Sequence, residues 1–272
     1  MIEALKYLDA ISLQKEIITE GHSPLLVIAS DYNAYFIKNT KGQNPATYLI
    51  NEFICHYLLQ KWELNTPDIS AISVNHQLLN NSLSKFHKSN FYNDITFGSK
   101  RMDNVIELNN FLEVTGKRDL NRFNSPADLI KISLFDIWVE NEDRKPTNPN
   151  ILLRMENNKI DIIAIDNAFT FCSMDYDSLN PNFISNTFNL NLLHSSFVKE
   201  IVKYDKKQDN WAKGIKDYYY FCIDQCKKDY NEIIKNIPSS LGFSENLQES
   251  LHLFLFDDKR NQNVLMEFFS RV

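Results

Sequence analysis

The sequence predicts an α+β fold, with a small β-rich N-terminal part that contains one main helix and a larger, mostly helical C-terminal part. Three observations predict it. Two β-branched and aromatic runs, at 24–29 and 34–38, lie on either side of a polar turn, which is typical of a β-hairpin. Apolar residues recur at helical spacing over 45–64. Residues 190–272 show helical spacing almost throughout.

Composition indicates a globular protein. The chain has 272 residues, of which 43% are apolar, enough for one large core or two smaller parts. The net charge of −6 argues against a broad nucleic-acid-binding surface, so no direct nucleic-acid binding is expected. The sequence contains no long uncharged apolar run, and acids interrupt the apolar positions at its start. We therefore expect a cytoplasmic protein with no membrane association.

The N-terminal elements follow from local patterns. Residues 1–20 predict a short helix followed by a strand. The hairpin over 24–38 ends in Lys38, at the end of its second strand. The helix over 45–64 is predicted to bury one face, and Glu52 lies on its second turn.

The middle of the chain is expected to join two parts. An apolar run at 69–74 leads into a polar segment, and 91–99 forms a candidate strand that ends in a Gly-Ser turn. We place the boundary between the two parts at the end of this candidate strand. The N-terminal part is then 1–98 and the C-terminal part 99–272, and together they form one domain.

Two helices are predicted next, over 103–116 and 126–140. Ser125, followed by Pro126 and by Asp128, resembles a helix-capping signature at the start of the second helix.

The cysteines allow two interpretations. Cys222 and Cys226 are spaced one helical turn apart and could in principle bind a metal, but no second pair or His lies at ligand spacing. Ordinary small core residues are the favoured interpretation of these two and of Cys55 and Cys172.

The residues with most chemical information lie in the central stretch. Asp143 and Asn148 share a turn-rich segment, and Asp166 follows the apolar run 160–165. A carboxylate that accepts a hydroxyl proton, followed by an amide and a second carboxylate that hold Mg²⁺, is the layout of a phosphoryl-transfer site. A carboxylate at the end of a buried strand is costly unless a cation or hydrogen bonds meet it, although Asp166 could also be an ordinary turn or cap residue.

Lys38 and Glu52 extend this set. A strand lysine can pair with nucleotide phosphates, and a glutamate on the following helix can hold that lysine. Taken singly, each is most often a solvated surface charge. The prediction depends on all five residues occurring in the right order on suitable elements.

These residues resemble a known family, the HipA-like kinases, and specifically its compact stand-alone members. The match is carried by Asn141-Glu-Asp-Arg-Lys-Pro-Thr-Asn148-Pro-Asn-Ile-Leu-Leu153 and Ile165-Asp166, with weaker support from Gly21-His-Ser-Pro-Leu-Leu-Val27, Tyr35-Phe-Ile-Lys38 and Asn51-Glu52. The resemblance covers roughly 10–170 and implies a bilobed protein-kinase-like fold, distantly similar to phosphatidylinositol kinases, that uses ATP and Mg²⁺ to phosphorylate a hydroxyl.

The resemblance also implies roles. Asp143 would be the catalytic base, Asn148 and Asp166 the metal ligands that also contact the nucleotide, and Lys38 the phosphate-binding lysine with Glu52 as its partner. Arg144 would support the catalytic loop, and the adenine-contacting hinge would lie near 93–97.

The chain departs from the family pattern in three places. Lys145 stands where many larger relatives carry His, the segment Asn167-Ala168-Phe169 after Asp166 has no glycine, and there is no Gly-x-Gly-x-x-Gly. Backbone N–H groups around His22 and Ser23, or a mobile loop, would then have to hold the phosphates. Ser23 could also be a self-phosphorylation site, although an ordinary loop serine is favoured.

Three functions are compatible with these residues. The first is an ATP- and Mg²⁺-dependent kinase that phosphorylates a serine or threonine of an unidentified protein. The second is a pseudokinase-like binding module, and the third is a kinase for a lipid or small molecule. Better-known relatives are toxins, so an antitoxin or other regulatory partner is a further candidate, but neither the toxin role nor its target transfers on these motifs.

Overall fold

The computed structural model describes most of the chain. The described residues are 2–17, 24–39, 45–79, 88–93, 95–108, 117–171, 176, 179–182, 184 and 191–272. His22, Ser23 and Cys172 lie outside them.

Strands and helices are mixed in the first part of the chain, and the C-terminal part is helical. The strands are β1 (Lys6–Glu16), β2 (Leu25–Ala29), β3 (Ala34–Lys38), β4 (Ile69–Ser73), β5 (Thr96–Lys100), β6 (Val105–Glu107), β7 (Ile151–Glu156) and β8 (Lys159–Ala164). The α-helices are α1 (Pro45–Lys61), α2 (His76–Leu79), α3 (Lys117–Leu120), α4 (Asp128–Val139), α5 (Ser196–Asp205), α6 (Trp211–Lys235), α7 (Glu245–Phe256) and α8 (Asp258–Arg271).

The first five strands close into a barrel in the order β1-β2-β3-β5-β4. The closure is made by β1, which pairs antiparallel with β2 and parallel with β4. The predicted hairpin is therefore present as β2 and β3, with Leu26 opposite Phe36. The barrel interior is apolar, and its core includes Leu25, Val27 and Ile37.

The expected helix at the start of the chain is wrong, because β1 begins at Lys6. The reason is non-local. A strand that finds hydrogen-bonding partners on both sides outweighs a weak local helical pattern. The residues of β1 pair with β2 and with β4, and the parallel register aligns Leu8 with Ile72.

Helix α1 is more deeply buried than expected. The sequence predicts one buried face, but every residue from Leu49 to Leu59 is buried. The helix lies between the barrel and the C-terminal helices, and its residues belong to the large core cluster. Polar residues on α1 therefore need partners inside the protein.

The segment after the barrel also differs from expectation. A 3₁₀ turn occupies Ser89–Tyr92 and the strand begins only at Thr96, so 91–99 is not one strand. Where a helix over 103–116 was expected, Val105–Glu107 forms β6, which pairs antiparallel with β7. Residues 109–116 lie outside the described residues. The predicted boundary at 98/99 falls within β5 and stays a prediction.

The second predicted helix is confirmed, with a different start. Helix α4 begins at Asp128, and its N-cap position is Ala127, which makes no side-chain capping bond. Ser125 instead donates its hydroxyl to Asp128 Oδ1 at 2.7 Å. The strands after the central motif pair as the hairpin β7 and β8.

The C-terminal third is helical, as predicted, and packs around stacked tryptophans. The rings of Trp62 and Trp138 lie 5.4 Å apart and nearly parallel, which joins α4 to the end of α1. Tyr218 on α6 donates its hydroxyl to the Trp62 carbonyl at 2.5 Å. Cys222 and Cys226 are free and buried, as is Cys55, in agreement with a core role. No helix in the described ranges has the length and apolar character needed to span a membrane.

Candidate active site

A cleft of about 1100 Å³ lies between the barrel and the loops that flank β7 and β8. Its volume is large enough for a small-molecule or cofactor site. Five residues singled out from the sequence line this cleft together: Lys38, Glu52, Asp143, Asn148 and Asp166.

The centre of the cleft is a three-residue charge cluster. Lys38 Nζ lies 2.5 Å from Glu52 Oε1 and 2.8 Å from Asp166 Oδ1. The Glu52 side chain is only 2% exposed, whereas that of Asp166 is 35% exposed. The lysine thus joins a buried carboxylate on α1 to an accessible one after β8.

Local structure explains why these side chains meet. Lys38 is the last residue of β3, and Glu52 lies in the first half of α1. Asp166 has a φ of 57°, in the left-handed region that non-glycine residues seldom adopt. This conformation ends the extended chain of β8, and the surrounding contacts must stabilise it.

The charges perturb one another. Burial lowers the pKa of the Lys38 ammonium, but Asp166 and Glu52 outweigh burial and hold the pKa above its ordinary value. Burial raises the pKa of Glu52; Lys38 opposes this shift, and the Asp166 carboxylate reinforces it. Lys38 is therefore a stable cation, and one positive charge is shared between two acids.

Asp143 is held by asparagines on both sides. Asn141 Oδ1 accepts hydrogen bonds from the backbone N–H groups of Asp143 and Arg144, each at 3.1 Å. Asn150 Nδ2 donates to Asp143 Oδ2 at 3.0 Å. Asn148 Nδ2 makes a longer contact of 3.5 Å with the Asp143 carbonyl. These bonds fix the carboxylate of Asp143 at the cleft.

Arg144 lies behind the cleft and is fully buried. It forms an ion pair with Asp136 on α4. Its Nη2 donates to the Ile165 carbonyl at 2.7 Å and to Asn167 Oδ1 at 2.9 Å. Burial raises the pKa of Asp136 to about 6, although Arg144 opposes the shift. Arg144 therefore ties the Asp143 loop to the residues on either side of Asp166.

Sequence reasoning assigned no role to four residues in or behind this site: Asp136, Asn150, Asn51 and Lys145. Asp136 has a signal, since it is an acid inside the apolar run Leu134–Val139. Asn150 follows Asn148 closely in the motif, and Asn51 was noted only beside Glu52. Lys145, noted only as a departure, also lines the cleft.

The predicted hinge, 93–97, stays a prediction, and one of its residues lies at the cleft. Phe97 lines the cleft, but so do Lys100, Arg101, Met102, Asp103 and Asn104, which lie further along the chain. His22 and Ser23 lie outside the described residues, so the predicted phosphate-holding loop remains a prediction.

The donor set fits a magnesium ion that also binds phosphate. In the part of the chain that the structure describes, no three His, Cys, Asp or Glu side chains form a metal-binding group. Mg²⁺ commonly uses one or two carboxylates and takes its other ligands from phosphates and water. Asn148 and Asp166, an amide and a carboxylate on one cleft, suit that mode of binding.

Comparison with solved structures supports the fold. The "Helicobacter pylori proinflammatory kinase CtkA" aligns over 98% of this chain and 97% of its own, with a TM-score of 0.58 and 15% identity. A structure of "the golgi casein kinase" aligns over 99% of this chain and 74% of its own, with a TM-score of 0.47 and 10% identity. At such identities the first similarity shows a shared kinase fold with mixed α and β content. A search of curated proteins found no match.

Family membership follows from the sequence as a whole. A family model described as "HipA-like kinase" matches residues 13–268, which includes the barrel, the cleft and the C-terminal helices. Kinases are phosphotransferases that use ATP, usually with a divalent metal. The chain belongs to the HipA-like kinase family.

Proposed function

We propose that this protein is a two-lobed, ATP- and Mg²⁺-dependent kinase that transfers the γ-phosphate to a serine or threonine hydroxyl of a protein. The single observation that carries the proposal is the position of Lys38 between Glu52 and Asp166 in the cleft that Asp143 also lines. Burying the Glu52 carboxylate is costly, and a protein that only binds partners would have little need for such an acid paired with Lys38 at a cleft.

Each residue has a defined role in the proposed reaction. Lys38 neutralises nucleotide phosphates, and Glu52 limits the movement of Lys38. The oxygen of the substrate hydroxyl forms a bond to the γ-phosphorus, and Asp143 accepts the proton of that hydroxyl. At the same time the bond from the γ-phosphorus to the β-γ bridging oxygen breaks, and ADP leaves. Asn148 and Asp166 would hold Mg²⁺, which neutralises charge on the phosphates.

The geometry supports Asp143 as the base. Its Oδ2 accepts a hydrogen bond from Asn150, and its backbone N–H is fixed by Asn141. One carboxylate oxygen is thus oriented by the protein, which leaves the other as the proposed proton acceptor. A fixed carboxylate reduces the entropy cost of reaching the transition state.

A protein substrate is favoured over an anionic lipid. The chain carries 35 acidic and 29 basic residues, and it has no polybasic segment of the kind that binds lipid headgroups. A lipid or small-molecule substrate is the second candidate, supported by the open cleft beside Asp143.

The experiment is transfer of label from γ-labelled ATP, with Mg²⁺ or with chelator, to the protein itself and to a basic protein acceptor. We expect Mg²⁺-dependent label that phosphoamino acid analysis assigns to serine or threonine. Asp143→Asn and Asp166→Asn should abolish it. Asp161→Asn is the matched control, because Asp161 pairs with Arg154 on β7 and does not line the cleft.

Two outcomes would contradict the proposal. Absence of label, together with ATP binding detected by a thermal shift, would favour the pseudokinase-like module. Label that appears only on an added lipid or small hydroxyl compound would favour the second substrate class.

A further inference from the structure

The segment that follows Asp166 is bound to one face of α1. Four α1 residues at helical spacing contact it: Tyr48, Asn51, Glu52 and Cys55. Because residues spaced in this way share one helix face, the segment lies along the helix. The position of Asp166 therefore depends on the contacts that α1 makes with the segment after it.

Asn51 makes the central contact. Its Nδ2 donates to the carbonyls of Ala168 at 2.8 Å and Thr170 at 3.1 Å. Its Oδ1 accepts a hydrogen bond from the hydroxyl of Tyr176 at 2.5 Å. Asn51 is fully buried, so both hydrogens of its amide are used in a site without solvent.

Neighbouring contacts hold the same segment at both ends. Glu52 Oε2, on the carboxylate that pairs with Lys38, accepts the Asn167 N–H at 2.9 Å. On the other side, the Phe169 carbonyl accepts the N–H of Glu142, next to Asp143. The segment after Asp166 is thus placed between α1 and the Asp143 loop.

The segment 167–170 contains no glycine. Asp166 itself has a φ of 57° and Phe171 a φ of 56°, so the backbone is strained at both ends of the segment. Hydrogen bonds must stabilise that conformation, and two of them come from Asn51.

We infer that Asn51 is a positioning residue, which holds the backbone of 167–170 so that Asp166 faces Lys38 and Asp143. Asn51 is buried and is not among the residues that line the cleft. The expected effect of Asn51 on catalysis rests on the proposed function. Its expected effect on the backbone of 167–170 does not.

The test compares Asn51→Asp with a matched change at Asn261. The aspartate keeps an oxygen that accepts the Tyr176 hydroxyl bond. Its second oxygen replaces the NH₂ group that donates to the carbonyls of Ala168 and Thr170. Asn261 on α8 is also buried. It accepts a hydrogen bond from the Tyr219 hydroxyl at 2.8 Å and donates one to the Leu255 carbonyl on α7 at 3.0 Å. Asn261→Asp therefore introduces the same kind of defect outside the cleft.

Two readouts separate positioning from general stability. Hydrogen exchange should rise in the peptide that covers 166–171 for Asn51→Asp, and not for Asn261→Asp. We expect kcat to fall at least about tenfold for Asn51→Asp while KM for ATP changes less than about threefold, since Lys38 stays on its strand. Tyr176→Phe removes one bond of the set and serves as the milder variant if Asn51→Asp does not fold; it should change both readouts in the same direction.

Unchanged exchange at 166–171 in a folded variant would overturn the inference, as would equal losses of kcat for the two asparagine variants. If the wild-type protein transfers no phosphate, the proposed function fails, and the exchange measurement still decides whether Asn51 holds the segment.

Discussion

Lys38 Nζ and Asp166 Oδ1 lie 2.8 Å apart, so the end of a barrel strand and the residue after β8 form a direct ion pair. The pair joins two distant parts of the sequence at one point of the cleft. Glu52 completes the cluster from α1, where its side chain is buried.

Replacing Lys38 by Met should remove the cation from this cluster. We expect phosphate transfer to fall at least about 10²-fold, because Lys38 is the residue proposed to neutralise the nucleotide phosphates. Transfer of labelled phosphate and ATP binding by titration calorimetry check the result.

Lys159→Met is the control for charge removal, since Lys159 bonds the Asn121 carbonyl at the surface. Wild-type transfer by Lys38→Met would contradict the assignment of Lys38.

His56 should make stability depend on pH. Burial on α1 lowers its pKa from 6.5 to about 4, so the unfolded chain binds this proton more readily between those values. Stability from neutral His56 is complete above pH 6.5 and is lost as the pH falls toward 4. The loss from this residue should be about 2 kcal/mol between pH 7.5 and pH 5.

Urea unfolding at both pH values, with His56→Leu beside the wild type, measures that contribution. The leucine variant should lose less stability over this interval. Equal losses in the two proteins would show that another group titrates.

Position 98 should not accept a side chain without a loss of stability. A Cβ atom at this position would lie 2.4 Å from Ile72 Cδ1 and 3.1 Å from the Ser70 carbonyl, on the neighbouring strand β4. Gly98→Ala should therefore destabilise the barrel by about 1–3 kcal/mol, as overpacking does.

Ile72→Val removes the nearest of these atoms, so the double variant should lose less than the sum of the two single losses. Denaturation midpoints of all four proteins test this. Strict additivity would mean that the two positions do not clash.

The Arg144–Asp136 pair should be far more costly to break than a surface pair. Both side chains are fully buried, so Asp136→Asn or Arg144→Met leaves one charge without its partner inside the core. Each single change should cost about 3–5 kcal/mol.

The double variant Asp136→Leu with Arg144→Met removes both charges, and we expect it to be more stable than either of these single variants. It should still transfer phosphate poorly, because Arg144 no longer bonds the Ile165 carbonyl. Normal transfer by a folded double variant would exclude a supporting role for Arg144.

The sequence predicted the parts of this molecule that depend on local pattern. The hairpin before Lys38, α1, α4 and the C-terminal helices all have clear periodicity, and the motif around Asp143 has distinctive spacing. Helix α1 was nevertheless expected to bury one face, since the C-terminal helices that cover its other side are remote in the sequence.

The missed features share a physical cause. The early start of β1 and the whole of β6 depend on partners remote in the chain, so the local helical patterns at these two places were misleading, although a strand within 1–20 was predicted. Asn51 and Asp136 are polar residues within buried helices, and their partners come from the segments around Asp166 and Asp143. Only the folded chain identifies such partners.

The most direct test of the central claim is the kinetics of Asp143→Asn measured beside nucleotide affinity. If Asp143 accepts the substrate proton, kcat should fall at least about 10²-fold while the Kd for ATP with Mg²⁺ stays within about threefold of the wild type, since the amide keeps the size of the side chain. Unchanged kcat in the asparagine variant would contradict the account and place the chemistry elsewhere.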